Sequence, residues 1–201
     1  QQFLVNSTKV DVMARKEFSR ALFGKNHPCG RHAVLEDYEC LTTEHLKDFY
    51  HRYYHSGNCS IFLSGNISEM IIHQVRDELG SSPWGSMHPC EPLSPLPMPD
   101  YEGRRIILEH STAVQSSLRL GCPLVDRTHP DFAALKVLVT VLGGYFGSRL
   151  MSNIREEKGY TYGINASIAS FPFQGYLAIG TETYNEYVEP CILEGKYEMR
   201  G

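Results

Sequence analysis

Two side chains with hydrogen-bonding chemistry stand seven positions apart in the C-terminal third of the chain. Arg155 falls on the last turn of a predicted helix, and Tyr162 falls near the start of the strand predicted after it. A turn of that length can bring guanidinium and phenol together, where both offer directed donors to a peptide carbonyl or a developing oxyanion. The structural alternative is that Arg155 pairs with a nearby acid and Tyr162 packs at a sheet edge.

The nine histidines raise the question of a metal site, but the sequence contains neither His-Glu-x-x-His nor the inverted His-x-x-Glu-His. The nearest candidates are His51 and His55, whose spacing on a predicted helix could place both on one face. A catalytic zinc site also needs a third ligand and a carboxylate base, and residue 54 is a tyrosine. Ordinary surface or interfacial histidines are therefore favoured, and no metal ligand is assigned.

Other catalytic signatures are weak. The glycine-rich segment 143–147 precedes a helix, as phosphate-binding loops do, but it lacks a Lys-Ser/Thr ending and follows no strand. A tight turn between helices is the preferred interpretation. No Gly-x-Ser-x-Gly motif occurs. The six cysteines form no Cys-x-x-Cys pair, and we expect them to be buried structural thiols. The sequence does not exclude a catalytic Cys–His dyad, although no feature favours one.

The elements that must position Arg155 and Tyr162 follow from hydrophobic spacing. Ser148 is a candidate N-cap for the helix that carries Arg155, and Gly159 suits its left-handed C-cap. Alternation predicts that Tyr162 shares one strand face with Ile164. Around them the pattern predicts strands at 105–110, 114–120, 160–169 and 175–183, a helix from Pro130 to 142 and a helical tail over 184–200.

The N-terminal half predicts three helices and one strand. The first helix covers 7–23 and ends at Gly24; the second follows Thr42 or Thr43, with an apolar face over 46–54. Residues 59–65 are β-branched and apolar and predict a short strand. Ser68 then caps a third helix, which Gly80 closes.

Residues 81–103 differ from both flanks. Prolines at 83, 89, 92, 95, 97 and 99 interrupt any periodicity and favour extended backbone. We predict a linker here, with one domain's end in 1–80 and a second domain's start in 104–201. Strands with helices apparently packed on one face predict the α+β class.

Composition excludes several classes of protein. The 201 residues carry a formal net charge of −4, so no basic excess is available for nucleic acid. No segment approaches the roughly 18 apolar residues that span a bilayer, and the first residues do not form a signal peptide. The chain begins and ends in helical patterns, so we expect a piece of a longer protein. Its compartment stays open between bacterial cytoplasm and periplasm.

Residues 142–163, which read LGGYFGSRLMSNIREEKGYTYG, closely resemble the signature of the second homologous domain in the pitrilysin/insulinase family of zinc metallopeptidases. The segments 27–31, 41–50, 54–61 and 64–67 resemble the later part of that family's first domain. The order of these pieces makes the resemblance more specific than any one motif. It implies a chain that spans the end of the first domain and most of the second.

By this resemblance each domain is an α/β roll, with a mixed, largely antiparallel sheet and helices on one face. The two domains form the halves of a clamshell that encloses peptides. One half binds zinc through His-x-x-Glu-His and a distant Glu. The other supplies an Arg and a Tyr, seven residues apart, that hold the substrate main chain and support the transition state; Arg155 and Tyr162 match these positions. No catalytic residue or metal ligand is assigned to this chain.

The zinc motif of the family would lie upstream of residue 1, and its distant Glu close to the start, where the chain has Gln1, Gln2 and Phe3. Glu17 lies too far along. Either that Glu precedes this chain or the protein has lost it. We therefore expect zinc in the parent protein or in a homologous partner chain or homodimer copy, and an isolated chain that neither binds zinc nor cleaves peptides. A non-catalytic scaffold, partner subunit or peptide-binding module is the alternative.

Overall fold

The computed structural model of the chain describes residues 1–85, 94–96, 105–111 and 113–200. These form two compact units, one from 1–32 and 95–201 and the other from 33–94. The predicted linker at 81–103 lies largely outside the described residues, so the domain ranges 1–80 and 104–201 stay predictions. Among the described residues, no helix combines the length and the apolar character needed to cross a bilayer.

The first unit is built on a three-stranded antiparallel sheet in the order β1–β3–β2. The strands are β1 Gln115–Leu124, β2 Thr161–Phe171 and β3 Gln174–Tyr184, and the helices are α1 Gln2–Ser7, α2 Val10–Phe23, α6 Phe132–Gly143 and α7 Val188–Arg200. A π-helix, Met151–Glu157, and a 3₁₀ turn, Asn185–Tyr187, complete it. The α+β class and the antiparallel pair at 160–183 are confirmed, whereas α6 begins two residues after Pro130.

The core of this unit lies between the sheet and α6, the π-helix and α7. Its buried residues are Val139, Leu142, Leu150, Ile154, Ile164, Ala166, Ile179 and Cys191. Burying an aliphatic side chain contributes about 1.5–3 kcal/mol, so this cluster holds the helices onto the sheet. A Cβ on Gly143 would lie 2.6 Å from the Ala166 nitrogen, so glycine there lets α6 approach β2 closely.

Helix α2 packs against β1 and ends as the sequence predicts. Gly24 follows its last residue with φ 78°, and the Gly24 N–H donates to the Arg20 carbonyl. The rings of Phe18 and Phe23 both meet Tyr176 of β3, at centroid distances of 5.9 and 5.6 Å. The helix predicted over 7–23 corresponds to α2, which begins three residues later at Val10, and a short additional helix, α1, precedes it.

The second unit contains α3 Leu35–Glu39, α4 Thr43–Tyr53 and α5 Glu69–Val75, with a π-helix at Arg76–Gly80 and a 3₁₀ turn at Ser56–Asn58. The N-caps are as predicted: Thr42 accepts from the His45 N–H, and Ser68 accepts from the Ile71 N–H. The apolar side chains of α4 are exposed rather than buried within this unit; they are Leu46, Phe49, Tyr50 and Tyr53.

Two predicted strands are wrong. Neither 59–65 nor 105–110 pairs with another strand among the described residues. Cys59 has an extended backbone, at φ −120° and ψ 131°, and Phe62 is 91% exposed. β-Branched composition therefore favours an extended conformation at these positions, but a strand also needs a partner with which to form its ladder.

Candidate functional site

Arg155 is carried by a helix that restarts after the glycine-rich turn. Residues 145–148 turn the chain, and helical backbone resumes at Arg149. The predicted capping role of Ser148 is wrong, because its hydroxyl is buried without a hydrogen-bond partner, although its carbonyl accepts from the Ser152 N–H. From Met151 the helix has π geometry, which is found frequently at functional sites.

The helix ends at Glu157, two residues after Arg155, and Gly159 follows its C-cap residue Lys158. Gly159 adopts φ 67°, the left-handed conformation predicted for it, and its N–H lies 3.2 Å from the Arg155 carbonyl. The Tyr160 N–H donates to the Ile154 carbonyl at 3.0 Å. Strand β2 begins at the next residue. Residues 156–160 therefore form a short, hydrogen-bonded corner between Arg155 and this strand.

A bulge in β2 sets the direction of Tyr162. Thr161 pairs with Thr183 and Ile164 pairs with Thr181, so Tyr162 and Gly163 together oppose Glu182. The extra residue inverts the alternation of side chains. Tyr162 is 91% exposed while Ile164 is 4% exposed. The prediction that these two residues share a face is therefore wrong.

The structure brings Arg155 and Tyr162 together. The Arg155 Cζ lies 5.4 Å from the centroid of the Tyr162 ring and 4.5 Å from that of Phe146, within the range of cation–π contact. Phe146 is 65% exposed, and the Arg155 side chain is 24% exposed. Sequence reasoning missed Phe146; its signal is an aromatic residue in a glycine-rich turn, where no apolar periodicity requires one.

The structure shows in part the alternative predicted for Arg155, a pair with a nearby acid. Its Nη1 lies 3.0 Å from the Glu156 Oε1, but without hydrogen-bond geometry, so we treat the contact as an ion pair alone. The Glu156 side chain is 53% exposed, and such pairs contribute little. Nη1 is buried, so this ion pair balances part of the charge of the guanidinium.

A polar network fixes the helix of Arg155 to α7. The Arg149 Nε donates to the Glu198 Oε2 at 2.8 Å, and the Asn153 Nδ2 donates to Glu198 at 2.8 Å and to Glu194 at 3.0 Å. The Glu198 side chain is only 10% exposed. Charge-assisted hydrogen bonds in such surroundings are the stronger kind, so they restrict the position of the helix.

The remaining candidates do not converge on a site. His51 lies on α4, whereas His55 lies beyond its end and is 2% exposed, so the predicted shared helix face is wrong. In the part of the chain that the structure describes, no group of three or more His, Cys, Asp or Glu side chains could hold a metal ion. The residues described therefore do not fit a zinc site.

The cysteines are less uniformly buried than predicted. Cys40 and Cys59 are exposed, Cys29 and Cys122 are half-buried, and Cys191 is buried. Burial raises the pKa of the Cys122 thiol. Burial also raises the pKa of the Cys191 thiol, although its hydrogen bond with Thr183 acts in the opposite direction. Thiols with raised pKa values do not have the character of activated nucleophiles.

The family model of the peptidase M16 inactive domain matches residues 41–197. The chain belongs to the peptidase M16 family. This agrees with the pitrilysin/insulinase resemblance of the sequence, which is confirmed.

The relatives in this family carry two kinds of name. The uncharacterized zinc protease YmxG of Bacillus subtilis is 30% identical over 84% of this chain and 40% of its own length. A protein of Helicobacter pylori, named a non-peptidase homolog, is 24% identical over 92% of this chain and 43% of its own length. The chain thus spans about 40% of the length of these relatives.

Two solved structures share the fold of this chain. The peptidase M16 inactive domain from Pseudomonas fluorescens superposes with a TM-score of 0.73 at 27% identity, over 99% of this chain and 48% of that one. A protease from Helicobacter pylori superposes with a TM-score of 0.80 at 17% identity, over 94% and 47% respectively, which shows a common fold.

Proposed function

We propose that this chain is the non-zinc, substrate-holding portion of an M16-type zinc metalloendopeptidase, which hydrolyses peptides enclosed between two domain halves. In this proposal Arg155 and Tyr162 bind the substrate main chain. The observation that carries it is the convergence of an exposed phenol and a guanidinium, 5.4 Å from Cζ to ring centroid, at one helix–strand corner.

The chemistry of the pair suits a peptide carbonyl. A guanidinium holds five N–H donors in one plane, and a phenol adds an O–H. Contact with Phe146 partly shields Arg155 from water, and a partly desolvated cation interacts more strongly with the charge that develops on a carbonyl oxygen. Tyr162 projects from its strand, so a bound main chain can meet it without displacing the core.

Zinc and the general base come from elsewhere in this proposal, because the residues described do not fit a zinc site. They belong either to another part of the full-length protein or to a homologous partner chain, including a second copy in a homodimer. Residues 1–80 and 104–201 are then parts of two homologous domains joined by 81–103. The names of several relatives as zinc proteases support this arrangement.

The test is Arg155→Ala in the full-length protein, or in its reconstituted pair, with Lys158→Ala as the matched control. Lys158 lies three residues further along and is 42% exposed, and it makes a long ion pair of 4.0 Å with Glu194, so its removal takes away a positive charge but no group that contacts Arg155 or Tyr162. We expect Arg155→Ala to lower kcat/KM for peptide cleavage about 10²-fold or more, as loss of a transition-state donor does. Cleavage equal to that of the control would rule out the role.

A second function is a non-catalytic member of the family that serves as a scaffold, partner subunit or peptide-binding module. The Helicobacter pylori relative named a non-peptidase homolog supports this alternative. Metal analysis of the purified full-length protein distinguishes the two. One zinc ion per full-length chain rules out the module, whereas a chain without zinc is assigned to the module only if it also fails to support peptide cleavage when paired with a zinc-bearing partner.

A further inference from the structure

Two buried threonine hydroxyls lie inside the bulge that turns Tyr162 outward. Thr161 is 8% exposed and Thr181 is 4% exposed. The Thr161 Oγ1 lies 2.6 Å from the Glu182 carbonyl oxygen, 3.1 Å from the Gly163 nitrogen and 2.8 Å from the Thr181 Oγ1. The Thr181 Oγ1 also lies 2.9 Å from the Gly163 carbonyl oxygen.

Each hydroxyl has a single proton to donate, and this determines the direction of most of these hydrogen bonds. Thr161 donates along its shortest contact, to the Glu182 carbonyl, and its lone pairs accept from the Gly163 N–H. The Thr181 proton has two acceptors at similar distance, the Thr161 hydroxyl oxygen and the Gly163 carbonyl. The hydroxyls therefore bind backbone groups on both sides of the bulge, where the regular ladder is interrupted.

The bulge decides where Tyr162 points. In a regular ladder without the extra residue, side chains alternate strictly, and Tyr162 would lie on the face that Ile164 buries. The phenol would then leave the exposed position beside Arg155. A second contact ties the bulge to the helix of Arg155, because the Ile164 N–H donates to the Met151 Sδ at 3.4 Å.

We propose that Thr161 and Thr181 are positioning residues, whose buried hydroxyls hold the bulge that directs Tyr162 toward Arg155 and toward a bound peptide. The effect of these threonines on catalysis rests on the proposed function, whereas their effect on the direction of Tyr162 does not. Valine is nearly isosteric with threonine, so Thr→Val removes the hydroxyl and little else.

The first experiment reads the environment of Tyr162 directly. The full-length protein is prepared with 3-fluorotyrosine at position 162, and ¹⁹F NMR compares wild type with four variants. Thr161→Val and Thr181→Val should shift or split the signal, and Thr161→Ser should leave it at the wild-type position. Ile164→Val, which removes a core methyl group from the same strand but no hydroxyl, should also leave it unchanged. An unshifted signal in a folded Thr181→Val variant overturns the proposal, whether or not Thr161→Val folds.

The second experiment measures peptide cleavage by the same variants. We expect Thr161→Val to lower kcat about 10- to 100-fold through misplacement of Tyr162, with recovery in Thr161→Ser. Tyr162→Phe and Arg155→Ala are measured beside them. If those two cleave normally, the proposed function fails while the ¹⁹F result still decides the positioning role. If Tyr162→Phe is impaired but Thr161→Val cleaves normally, the positioning role fails alone.

Discussion

At Arg155 two aromatic rings lie against the guanidinium, and one of its nitrogens is paired with Glu156. Phe146 and Tyr162 both approach the Cζ, at 4.5 and 5.4 Å from their ring centroids. A cation–π contact holds the cation without requiring a hydrogen bond from it. In the proposed function the rings therefore position Arg155, while its donors other than the Nη1 that faces Glu156 bind the carbonyl.

Phe146 should contribute to this positioning. Phe146→Leu keeps an apolar side chain but removes the ring, and an exposed cation–π contact contributes about 0.5–1 kcal/mol. We expect kcat/KM of the full-length protein for peptide cleavage to fall roughly two- to five-fold. Phe146→Tyr retains an aromatic face and serves as the control. Equal activity of the leucine and tyrosine variants would contradict a role for the ring.

At the scale of elements, the sequence predicted the helix end and the strand that carry Arg155 and Tyr162, but it did not predict the bulge in that strand. Alternation located β2 and β3, and Gly159 marked the helix end, because both signals are local. The bulge was not predictable from alternation, since Tyr162 fits the apolar pattern of its neighbours and only the pairing with β3 shows the extra residue. The buried Ser148 hydroxyl was missed for the same reason, because burial depends on tertiary packing.

Two glycine-to-alanine substitutions should have opposite effects on stability. Gly159 has φ 67°, so alanine there is strained by about 1–2 kcal/mol although its Cβ meets nothing. Gly195 lies inside α7 with open space around a Cβ, so alanine there should stabilise by about 0.5–1 kcal/mol. Urea unfolding of the two variants beside wild type measures both. Equal shifts of the same sign would show that backbone conformation is not the cause.

At the scale of the whole molecule, the sequence predicted two strands that do not pair in the part of the chain that the structure describes. Residues 59–65 and 105–110 have strand-forming composition, yet neither joins a ladder among the described residues. The apolar side chains of α4 show the same limit, since Leu46 and Phe49 are 60% and 56% exposed. Periodicity gives an element its apolar face, but it does not give the partner that covers this face.

Two thiols with raised pKa values, those of Cys122 and Cys191, link the stability of the fold to pH. Burial raises the pKa of Cys191, which is 2% exposed, and also that of Cys122. The folded protein therefore keeps these protons at pH values where the unfolded chain, with a thiol pKa of about 8.5, has begun to lose them. The stabilising contribution is complete below the unfolded pKa and is lost as pH rises through the folded value.

We therefore expect the urea midpoint of the protein to decline between about pH 7.5 and 9.5, with a shallower decline in Cys191→Ala. The slope with pH is the quantity to compare, because alanine also leaves a cavity that lowers stability at every pH. Cys40→Ala removes an exposed thiol and should keep the wild-type slope. If Cys191→Ala declines as steeply as wild type, ionisation of this thiol is not linked to unfolding, and other groups cause the loss of stability in alkali.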